Sequence, residues 1–231
     1  MKKYEIIILS GGKGTRVNKF TKKKPKCLID IYGKPFLYYQ LKYLCKNNIK
    51  NVLLSVGYRS NQVKKYVKQN IDFINVKVVD DGKKLLGTGG AIIRSIDLLK
   101  KNFYVLYGDS YLNFRLMKLK TKNKFSIMAI FKNKNKFDSS NVELKKYNFI
   151  SYKKNKKKKN YEYIDYGVSL LNKNIFKKIK KNVKFDLSNI LEKVSNNYQL
   201  KGYIVKKRFY EIGSYNGITN FKKFIKNEFY K

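Results

Sequence analysis

The chain has 231 residues, of which 43% are apolar, so it can bury one substantial α/β core but not two comfortable ones. Its 54 lysines and arginines outnumber its 15 acidic residues, which leaves a formal net charge of +39. The chain contains no histidine, which excludes Ser-His-Asp and Cys-His catalysis and an ordinary Cys/His zinc site. Any chemistry must therefore use carboxylates, lysine, arginine, backbone amides or a metal.

The positive charge taken alone would indicate a nucleic-acid-binding protein. Lysine is instead spread along the whole chain with Asn, Ile and Tyr, a composition typical of an AT-rich genome. We interpret the lysine runs at 153–160 and 177–182 as a solvated loop and a helix face. The 20 tyrosines fall largely within strand and helix patterns and do not interleave with basic residues for stacking, so we expect no specific nucleic-acid partner.

No stretch approaches the ~18 consecutive apolar residues of a membrane span. The start MKKYEIIILSGG is too short and too limited by glycine to predict a signal peptide. Cys27 and Cys45 lack CxxC spacing, and we expect both to be buried, reduced thiols. These features predict a cytoplasmic protein with no membrane partner.

Strand-like and helix-like segments alternate in the first half of the chain. The continuous apolar run YEIIIL (4–9) predicts a buried parallel strand. Apolar residues then recur at helical spacing from 37 to 45, after Gly33 and Pro35. The series continues with strands at 51–57, 75–80 and 103–109 and with helices at about 60–69 and 89–100. This order predicts a doubly wound, largely parallel sheet.

Strands follow one another more closely in the second half. We predict strands at 125–131, 141–147, 149–152, 163–171 and near 202–205, and helices at about 174–181, 187–196 and 215–228. The whole chain, 1–231, is therefore predicted to form one Rossmann-like α/β/α sandwich. Its central sheet is mixed but mostly parallel, and the second half adds a further β portion.

The stretch LSGGKGTR places three glycines directly after the first strand. Glycine allows the backbone N–H groups to approach a ligand closely, which suits phosphate. The spacing is not that of a P-loop, because five residues after Gly11 and Gly12 come Arg16 and Val17. The dinucleotide fingerprint is also excluded, since Gly14 is followed three residues later by Val17.

Two other segments follow strand signals. Asp109, in Gly108-Asp109-Ser110, is placed either to face a cleft at a strand end or to begin a helix as its N-cap. The segment Leu86–Ala91, LGTGGA, is either an ordinary turn into a helix or a flat wall for a nucleobase, with Thr88 as a hydrogen-bonding partner. Each segment by itself is a weak signal.

The order of the motifs is more specific than any one of them. The series LSGGKGTR, KPKCLIDIYGKPFLYYQLKYL, LLGTGGA, YVLYGDS, YIDYGVSLLNKNIF and FYEIGS closely resembles the sugar-1-phosphate nucleotidyltransferases over about residues 4–225. It is most similar to the short bacterial branch of heptose-1-phosphate and mannose-1-phosphate guanylyltransferases. The resemblance implies that a sugar 1-phosphate attacks an NTP, expels pyrophosphate and forms an NDP-sugar. Similarity to this branch implies that the NTP is GTP. The product would serve a surface glycan such as lipopolysaccharide or capsule. The resemblance also implies Mg²⁺ as cofactor and allows a homodimer.

The resemblance assigns roles to particular residues. It implies that Arg16, Lys26 and Asp109 are catalytic: Arg16 neutralises the pyrophosphate, Lys26 steadies the α-phosphate and the sugar phosphate, and Asp109 binds Mg²⁺. The implied nucleotide-binding residues are Leu9, Ser10, Gly11, Gly12, Gly14, Thr15, Arg16, Gly87, Thr88 and Gly108. Lys13 and Lys22–Lys24 are interpreted as surface charge. Residues of about 1–120 form the nucleotide-binding half and about 121–231 the sugar-binding half.

The sugar side departs from the family pattern at two positions. The resemblance implies sugar-phosphate contacts from Lys26, Lys154, Asp165 and Gly167. Lys153 stands where relatives often have an acid that faces the sugar. Glu211 stands where many relatives have a second metal-binding aspartate, and it is expected to ligate Mg²⁺ with Asp109. Asp165 is read either as an acceptor for sugar hydroxyls or as a polar residue on a strand edge.

Two alternatives to a guanylyltransferase stay open from the sequence. UTP or CTP could replace GTP, since the LGTG pattern also occurs in uridylyl-transferring relatives. A protein of a different class, a catalytically idle module that binds nucleotide or sugar phosphate, would be favoured by loss of Asp109, Arg16 or Lys26. All three residues are present.

Overall fold

The computed structural model describes residues 3–21, 24–82, 85–121, 125–154, 160–181 and 183–229. The strands in these ranges are β1 (Tyr4–Ser10), β2 (Asp30–Ile31), β3 (Lys34–Pro35), β4 (Asn51–Val56), β5 (Asn75–Asp80), β6 (Leu99–Tyr107), β7 (Ser110–Tyr111), β8 (Ser126–Lys132), β9 (Val142–Leu144), β10 (Ile150–Tyr152), β11 (Tyr163–Asn172), β12 (Leu200–Val205) and β13 (Tyr210–Glu211). The helices are α1 (Asn18–Thr21), α2 (Phe36–Lys46), α3 (Ser60–Asn70), α4 (Gly87–Ser95), α5 (Leu187–Asn196) and α6 (Tyr215–Phe229). No helix in the described ranges has the length and apolar character needed to cross a bilayer.

A mixed sheet forms the centre of the molecule, as predicted. Strands β6, β1, β4 and β5 lie side by side and parallel. Strand β11 adds antiparallel to the free side of β6, β8 pairs antiparallel with β11, and β12 pairs parallel with β8. Strands β9 and β10 attach at the start of β11. The predicted nucleotide-binding and sugar-binding halves thus share one continuous sheet.

Strand β1 lies at the centre of the parallel part and is buried on both faces. Ile6 and Ile8 belong to the apolar cluster on one face, and Ile7 and Leu9 to the cluster on the other. This alternation explains why the strand reads as a continuous apolar run. The chain leaves β1 toward β4 on one side and later returns to place β6 on the other side, so the strand order reverses at β1. Ligands bind at the carboxyl ends of strands around such a reversal.

Most of the predicted elements are confirmed, but two helix predictions are wrong in extent. The helix predicted at 89–100 ends at Ser95, and the chain re-enters the sheet at Leu99, which pairs with Tyr4. No glycine or proline marks this change. Of the helix predicted at 174–181, only a 3₁₀ turn at Lys173–Phe176 forms. The four lysines of 174–181 have no acidic residue within the segment to offset their mutual repulsion along a helix.

Three smaller features differ from the sequence predictions. The strand predicted at 141–147 ends at Leu144, and a 3₁₀ turn follows at Lys146–Asn148. The two-residue pairings β2–β3 and β7–β13 were not predicted. Lys22 and Lys23, positions 155–159 of the lysine-rich loop, and Asn182 lie outside the described residues.

The two cysteines are free thiols, as expected, but they differ in burial. Cys27 is 2% exposed, and burial raises the pKa of its thiol to about 12. Cys45 is only partly buried, and its Sγ donates to the carbonyl oxygen of Phe73 at 3.6 Å. The raised pKa of Cys27 disfavours the thiolate, so this thiol lacks the character of a nucleophile.

Candidate active site

The glycine loop lies at the carboxyl end of β1, where the strand order reverses. Only Gly14 has a positive φ, of 70°, so only this glycine is required by backbone conformation. A Cβ added at Gly12 would meet nothing within 4 Å, which leaves the backbone there open to a ligand. Thr15 and Arg16 follow in an exposed 3₁₀ turn. The loop is therefore accessible, as a phosphate-binding loop must be.

Lys26 and Asp109 meet although 83 residues separate them in sequence. The Lys26 Nζ donates to Asp109 Oδ2 at 2.7 Å, and the two side chains are 18% and 29% exposed. Lys26 follows Pro25 in a short 3₁₀ turn, and Asp109 follows β6. Asp109 leads into β7 and does not cap a helix, which removes that alternative. The ion pair gives the site a mobile cation beside a carboxylate.

Arg16, Asp109 and Glu211 converge around Gly213. A Cβ built on Gly213 would lie 2.9 Å from Glu211 Oε2, 3.3 Å from Asp109 Oδ2 and 3.6 Å from Arg16 Nη2. The β7–β13 pairing produces this arrangement, because it places Glu211 opposite Ser110, the residue after Asp109. The structure thus brings together the predicted catalytic residues and the predicted second metal ligand.

Glu211 also stabilises the start of α6. Its Oε2 accepts from the backbone N–H groups of Gly213 and Ser214, the latter at 3.1 Å, and its Oε1 accepts from Ser214 Oγ at 2.5 Å. A carboxylate at a helix N-terminus is favoured by the unpaired N–H groups there. Burial raises the pKa of the Glu211 carboxyl above its ordinary value, and the nearby Asp109 carboxylate adds to the rise. Glutamate reaches these donors through its additional methylene.

The loop that carries Asp109 is anchored from both neighbouring strands. Gly108 N–H donates to the Leu9 carbonyl at 2.9 Å, and Ile212 N–H donates to the Asp109 carbonyl at 2.9 Å. A Cβ at Gly108 would lie 2.5 Å from the Leu9 carbonyl oxygen. Gly108 is therefore required by the close approach of two backbones, a role in packing that differs from the nucleotide contact expected of it.

Gln40 is a site-supporting residue that the sequence interpretation missed. It lies on α2, is 1% exposed, and its Nε2 donates to the carbonyls of Tyr107 and Ser110 at 3.1 and 2.8 Å. These carbonyls flank Gly108 and Asp109, so Gln40 holds both ends of the loop. A buried polar residue on the apolar face of a predicted helix was the available signal.

The glycines of LGTGG allow the segment around Phe185 to pack on the start of α4. Gly89 and Gly90 N–H groups donate to the Phe185 carbonyl, at 3.0 and 3.3 Å. Gly87 has a φ of 74°, and a Cβ there would lie 2.6 Å from the same oxygen. Thr88 Oγ1 accepts from Leu187 N–H at 2.8 Å. The Thr88 hydroxyl is therefore engaged with the start of α5.

Asp165 lies on β11 opposite Ile130 of β8, and β11 is an interior strand of the sheet and not an edge strand. Its Oδ1 accepts from Gly167 N–H at 2.9 Å. Gly167 has a φ of 93°, and its missing Cβ would lie 2.2 Å from Ser110 Oγ. That face of Gly167 is packed against the loop after Asp109, so the sugar-side and nucleotide-side residues are in direct contact.

The pKa of Asp165 predicts a measurable dependence of stability on pH. Burial raises it from the ordinary 3.8 to about 7, against the opposing effects of Gly167 N–H and Lys154. Between pH 4 and 7 the native protein then binds more protons than the unfolded chain, so the free energy of unfolding falls as pH rises. We expect Asp165→Asn to remove this loss and to be more stable than the parent by on the order of 1–2 kcal/mol at pH 8, but not at pH 4.

Urea unfolding from pH 4 to 8 measures this difference. Asp72→Asn, at an exposed position, is the matched control and should follow the parent curve. Parallel curves for Asp165→Asn and the parent over the whole range would contradict the prediction.

Lys154 reaches across to the segment that begins α5. Its Nζ lies 3.5 Å from Asp186 Oδ2, and its backbone N–H donates to Glu192 Oε1 at 3.1 Å. Lys153 N–H donates to the Asn141 carbonyl at 3.1 Å, and Asn141 Oδ1 in turn accepts from Asp165 N–H at 3.0 Å. Lys153 and Lys154 therefore lie on the Asp165 side of the site.

A family model described as nucleotidyl transferase matches residues 5–228, which is nearly the whole chain. The chain belongs to the nucleotidyl transferase family. This membership confirms the resemblance inferred from the motif order. As a sugar-1-phosphate nucleotidyltransferase, the protein is an enzyme, and its reaction needs no protein nucleophile, which agrees with the absence of histidine.

Two relatives in the nucleotidyl transferase family match this chain over nearly their full length. The D-glycero-alpha-D-manno-heptose 1-phosphate guanylyltransferase of Campylobacter jejuni is 34% identical over 90% of this chain and 94% of its own. The protein of the same name from Aneurinibacillus thermoaerophilus is 28% identical over 90% and 93%. The mannose-1-phosphate guanylyltransferase catalytic subunit beta of Xenopus tropicalis is 34% identical, but over 48% of this chain and 32% of its own.

Solved structures of nucleotidyltransferases share the fold. HddC from Yersinia pseudotuberculosis, in complex with GMP-PN, superposes with a TM-score of 0.81 at 23% identity and covers 96% of this chain and 99% of its own. The inositol-1-phosphate CTP transferase from T. maritima superposes with a TM-score of 0.80 at 21% identity, over 99% and 98%. These similarities confirm the predicted fold class.

Proposed function

We propose that this nucleotidyltransferase transfers the guanylyl group of GTP to a heptose- or mannose-like sugar 1-phosphate and releases pyrophosphate. The product is a GDP-sugar, made in the cytoplasm for a surface glycan such as lipopolysaccharide or capsule. Two relatives named as heptose 1-phosphate guanylyltransferases match the chain over nine-tenths of its length, which supports this choice of substrates. The observation that carries the proposal is the Lys26–Asp109 pair, which lies beside the glycine loop and after β6, with Arg16 alongside.

The proposed reaction is an in-line displacement at the α-phosphorus. An oxygen of the sugar phosphate forms a new bond to this phosphorus while the bond to the bridging oxygen breaks, and the electron pair leaves with pyrophosphate. Catalysis of this kind is mainly positioning and neutralisation of charge. Lys26 neutralises the α-phosphate and the entering sugar phosphate. Arg16 neutralises the leaving pyrophosphate. The backbone amides of the glycine loop, together with Thr15, hold the triphosphate.

The residues around Gly213 fit a magnesium ion. Asp109 and Glu211 offer only carboxylate oxygens, and Mg²⁺ is commonly bound by one or two carboxylates together with substrate phosphates. With the ion bound, these two residues would hold it, and Lys26 would turn from Asp109 to the phosphates. The bound ion supplies positive charge to the phosphate oxygens during transfer.

The sugar side of the proposal uses Asp165 and Lys154. Asp165 accepts from sugar hydroxyls, and Lys154 contacts the sugar phosphate from the rim. Residues of about 1–120 bind the nucleotide, those of about 121–231 bind the sugar phosphate, and two copies of the chain associate as a homodimer.

Pyrophosphate release by the purified protein tests the proposal. GTP, UTP, CTP, ATP and dTTP are each combined with Mg²⁺ and with a panel of sugar 1-phosphates that includes heptose and mannose. We expect release with GTP and a heptose- or mannose-like sugar. Release with UTP or CTP in place of GTP would contradict the choice of base. Nucleotide binding with no release for any pair would identify an idle binding module.

A further inference from the structure

Lys26 and Asp109 are supported by the same helix, α2. Ile29 N–H donates to the Lys26 carbonyl at 3.0 Å, and Phe36 N–H, at the start of α2, donates to the Ile29 carbonyl at 2.9 Å. One helical turn later, the Gln40 side chain reaches the turn that carries Asp109. The two groups of the ion pair are 83 residues apart in sequence, so their common attachment to α2 fixes one relative to the other.

The side chain of Gln40 suits this place because its amide nitrogen has two N–H donors. Nε2 donates to the carbonyls of Tyr107 and Ser110, one on each side of the Asp109 turn. Oε1 is buried and accepts no hydrogen bond from the residues that the structure describes. The amide thus takes the orientation that satisfies the turn and leaves its own acceptor unpaired, which costs free energy. The carbonyls of the turn therefore determine how this side chain is used.

The position of Asp109 has little tolerance. Its Oδ2 borders the space at Gly213 that it shares with Glu211 Oε2. Carboxylates that bind one ion must be held within about 0.5 Å of the productive geometry. Ile212 N–H holds the Asp109 carbonyl, at 2.9 Å, from the Glu211 side. Gln40 holds the same turn from the α2 side, so loss of its two hydrogen bonds would release that side of the turn.

We propose that Gln40 is a positioning residue for the transfer reaction and holds Asp109 where this carboxylate and Glu211 bind the divalent cation together. The inference rests on the proposed function, which it deepens by naming a residue that sets the affinity for the ion. Gln40 is 1% exposed, so it cannot contact a substrate itself and acts through Asp109. Loss of a side chain that orients a metal ligand typically lowers metal affinity or activity by about 10- to 100-fold.

Gln40→Met tests the inference, because methionine has nearly the same length but donates no hydrogen bond. We expect kcat for pyrophosphate release to fall by about 10- to 100-fold. The KM for the nucleotide should stay within about threefold of the parent value, since the glycine loop follows β1 and is not carried by α2. Binding of Mn²⁺ to the nucleotide-free protein, followed by the electron paramagnetic resonance of the free ion, should weaken by about tenfold or more.

A double-mutant cycle distinguishes positioning of Asp109 from a general weakening of the structure. If Gln40 acts through Asp109, Gln40→Met should lower the rate by less than about threefold in the Asp109→Ala background. A fall by the same factor in both backgrounds would overturn the inference. Gln40→Glu keeps the shape of the side chain and at most one donor, so it should also lose about tenfold or more. This variant decides the question where Gln40→Met does not fold.

Asn47→Leu is the matched control. Asn47 directly follows α2, and its Oδ1 accepts from Leu116 N–H at 3.0 Å, so it holds the chain beyond Asp109 with a side-chain amide of the same kind. This variant should lower the free energy of unfolding but keep kcat and the Mn²⁺ affinity within about threefold of the parent.

The outcomes separate this inference from the proposed function. Weaker Mn²⁺ binding in Gln40→Met but not in Asn47→Leu, in a protein that releases no pyrophosphate, would support the inference while the proposed reaction fails. Parent-like Mn²⁺ affinity in folded Gln40→Met, or equal losses in Asn47→Leu, would overturn the inference even if guanylyl transfer is measured. Absence of Mn²⁺ binding by the parent protein would overturn it as well.

Discussion

Asp109→Ala is expected to lower the rate of pyrophosphate release by about 10²- to 10³-fold, the usual cost of losing one preorganised charged group at a reacting centre. Lys26→Met should have a loss of the same order, because the 2.7 Å ion pair shows that the two side chains share one location. The combined variant should lose little more than either single variant, since groups that act as a unit are not additive. Steady-state kinetics with GTP and the sugar 1-phosphate identified by the panel measures all three.

The control for this prediction separates catalysis from folding. Both side chains are partly exposed, so loss of the pair should change the free energy of unfolding by less than about 1 kcal/mol. Lys24→Met removes an exposed lysine two positions away and should leave the rate unchanged. Activity within threefold of the parent in Asp109→Ala, or a loss in Lys24→Met equal to that in Lys26→Met, would contradict the assignment.

Gly108→Ala is expected to destabilise the protein by about 3 kcal/mol, because the new Cβ would lie 2.5 Å from the Leu9 carbonyl oxygen and 2.9 Å from Ser10 Cα. Both contacts are with the backbone of the central strand, which cannot move without disturbing the sheet. Gly12 also lies in a predicted nucleotide-binding loop, but a Cβ added there would meet nothing within 4 Å. Gly12→Ala should therefore change the free energy of unfolding by less than about 1 kcal/mol. Urea unfolding of the two variants measures the contrast.

The same pair of variants distinguishes a packing glycine from a ligand-facing glycine. If phosphate approaches the open backbone at Gly12, Gly12→Ala should raise the KM for the nucleotide while stability stays unchanged. Equal stability losses in the two variants would show that the close approach of β1 and the Gly108 turn does not determine the effect.

The sequence by itself determined the class of the fold and the first members of the site. The apolar run of β1 and the helical spacing of α2 are local patterns, and the structure confirms both. The glycine loop and Asp109 could be predicted because each directly follows a strand signal, and strand ends are where α/β sheets bind ligands. The motif order then identified the family that the matching model confirms.

Only the tertiary structure decided which of these residues meet. The β7–β13 pairing brings Glu211 beside Asp109 across a hundred residues. Likewise Gln40 holds the Asp109 loop, and the Thr88 hydroxyl accepts from the start of α5. Periodicity and turn chemistry are local and can be read along the chain. Strand order and register depend on contacts distant in sequence, and these placed the charged groups of the site.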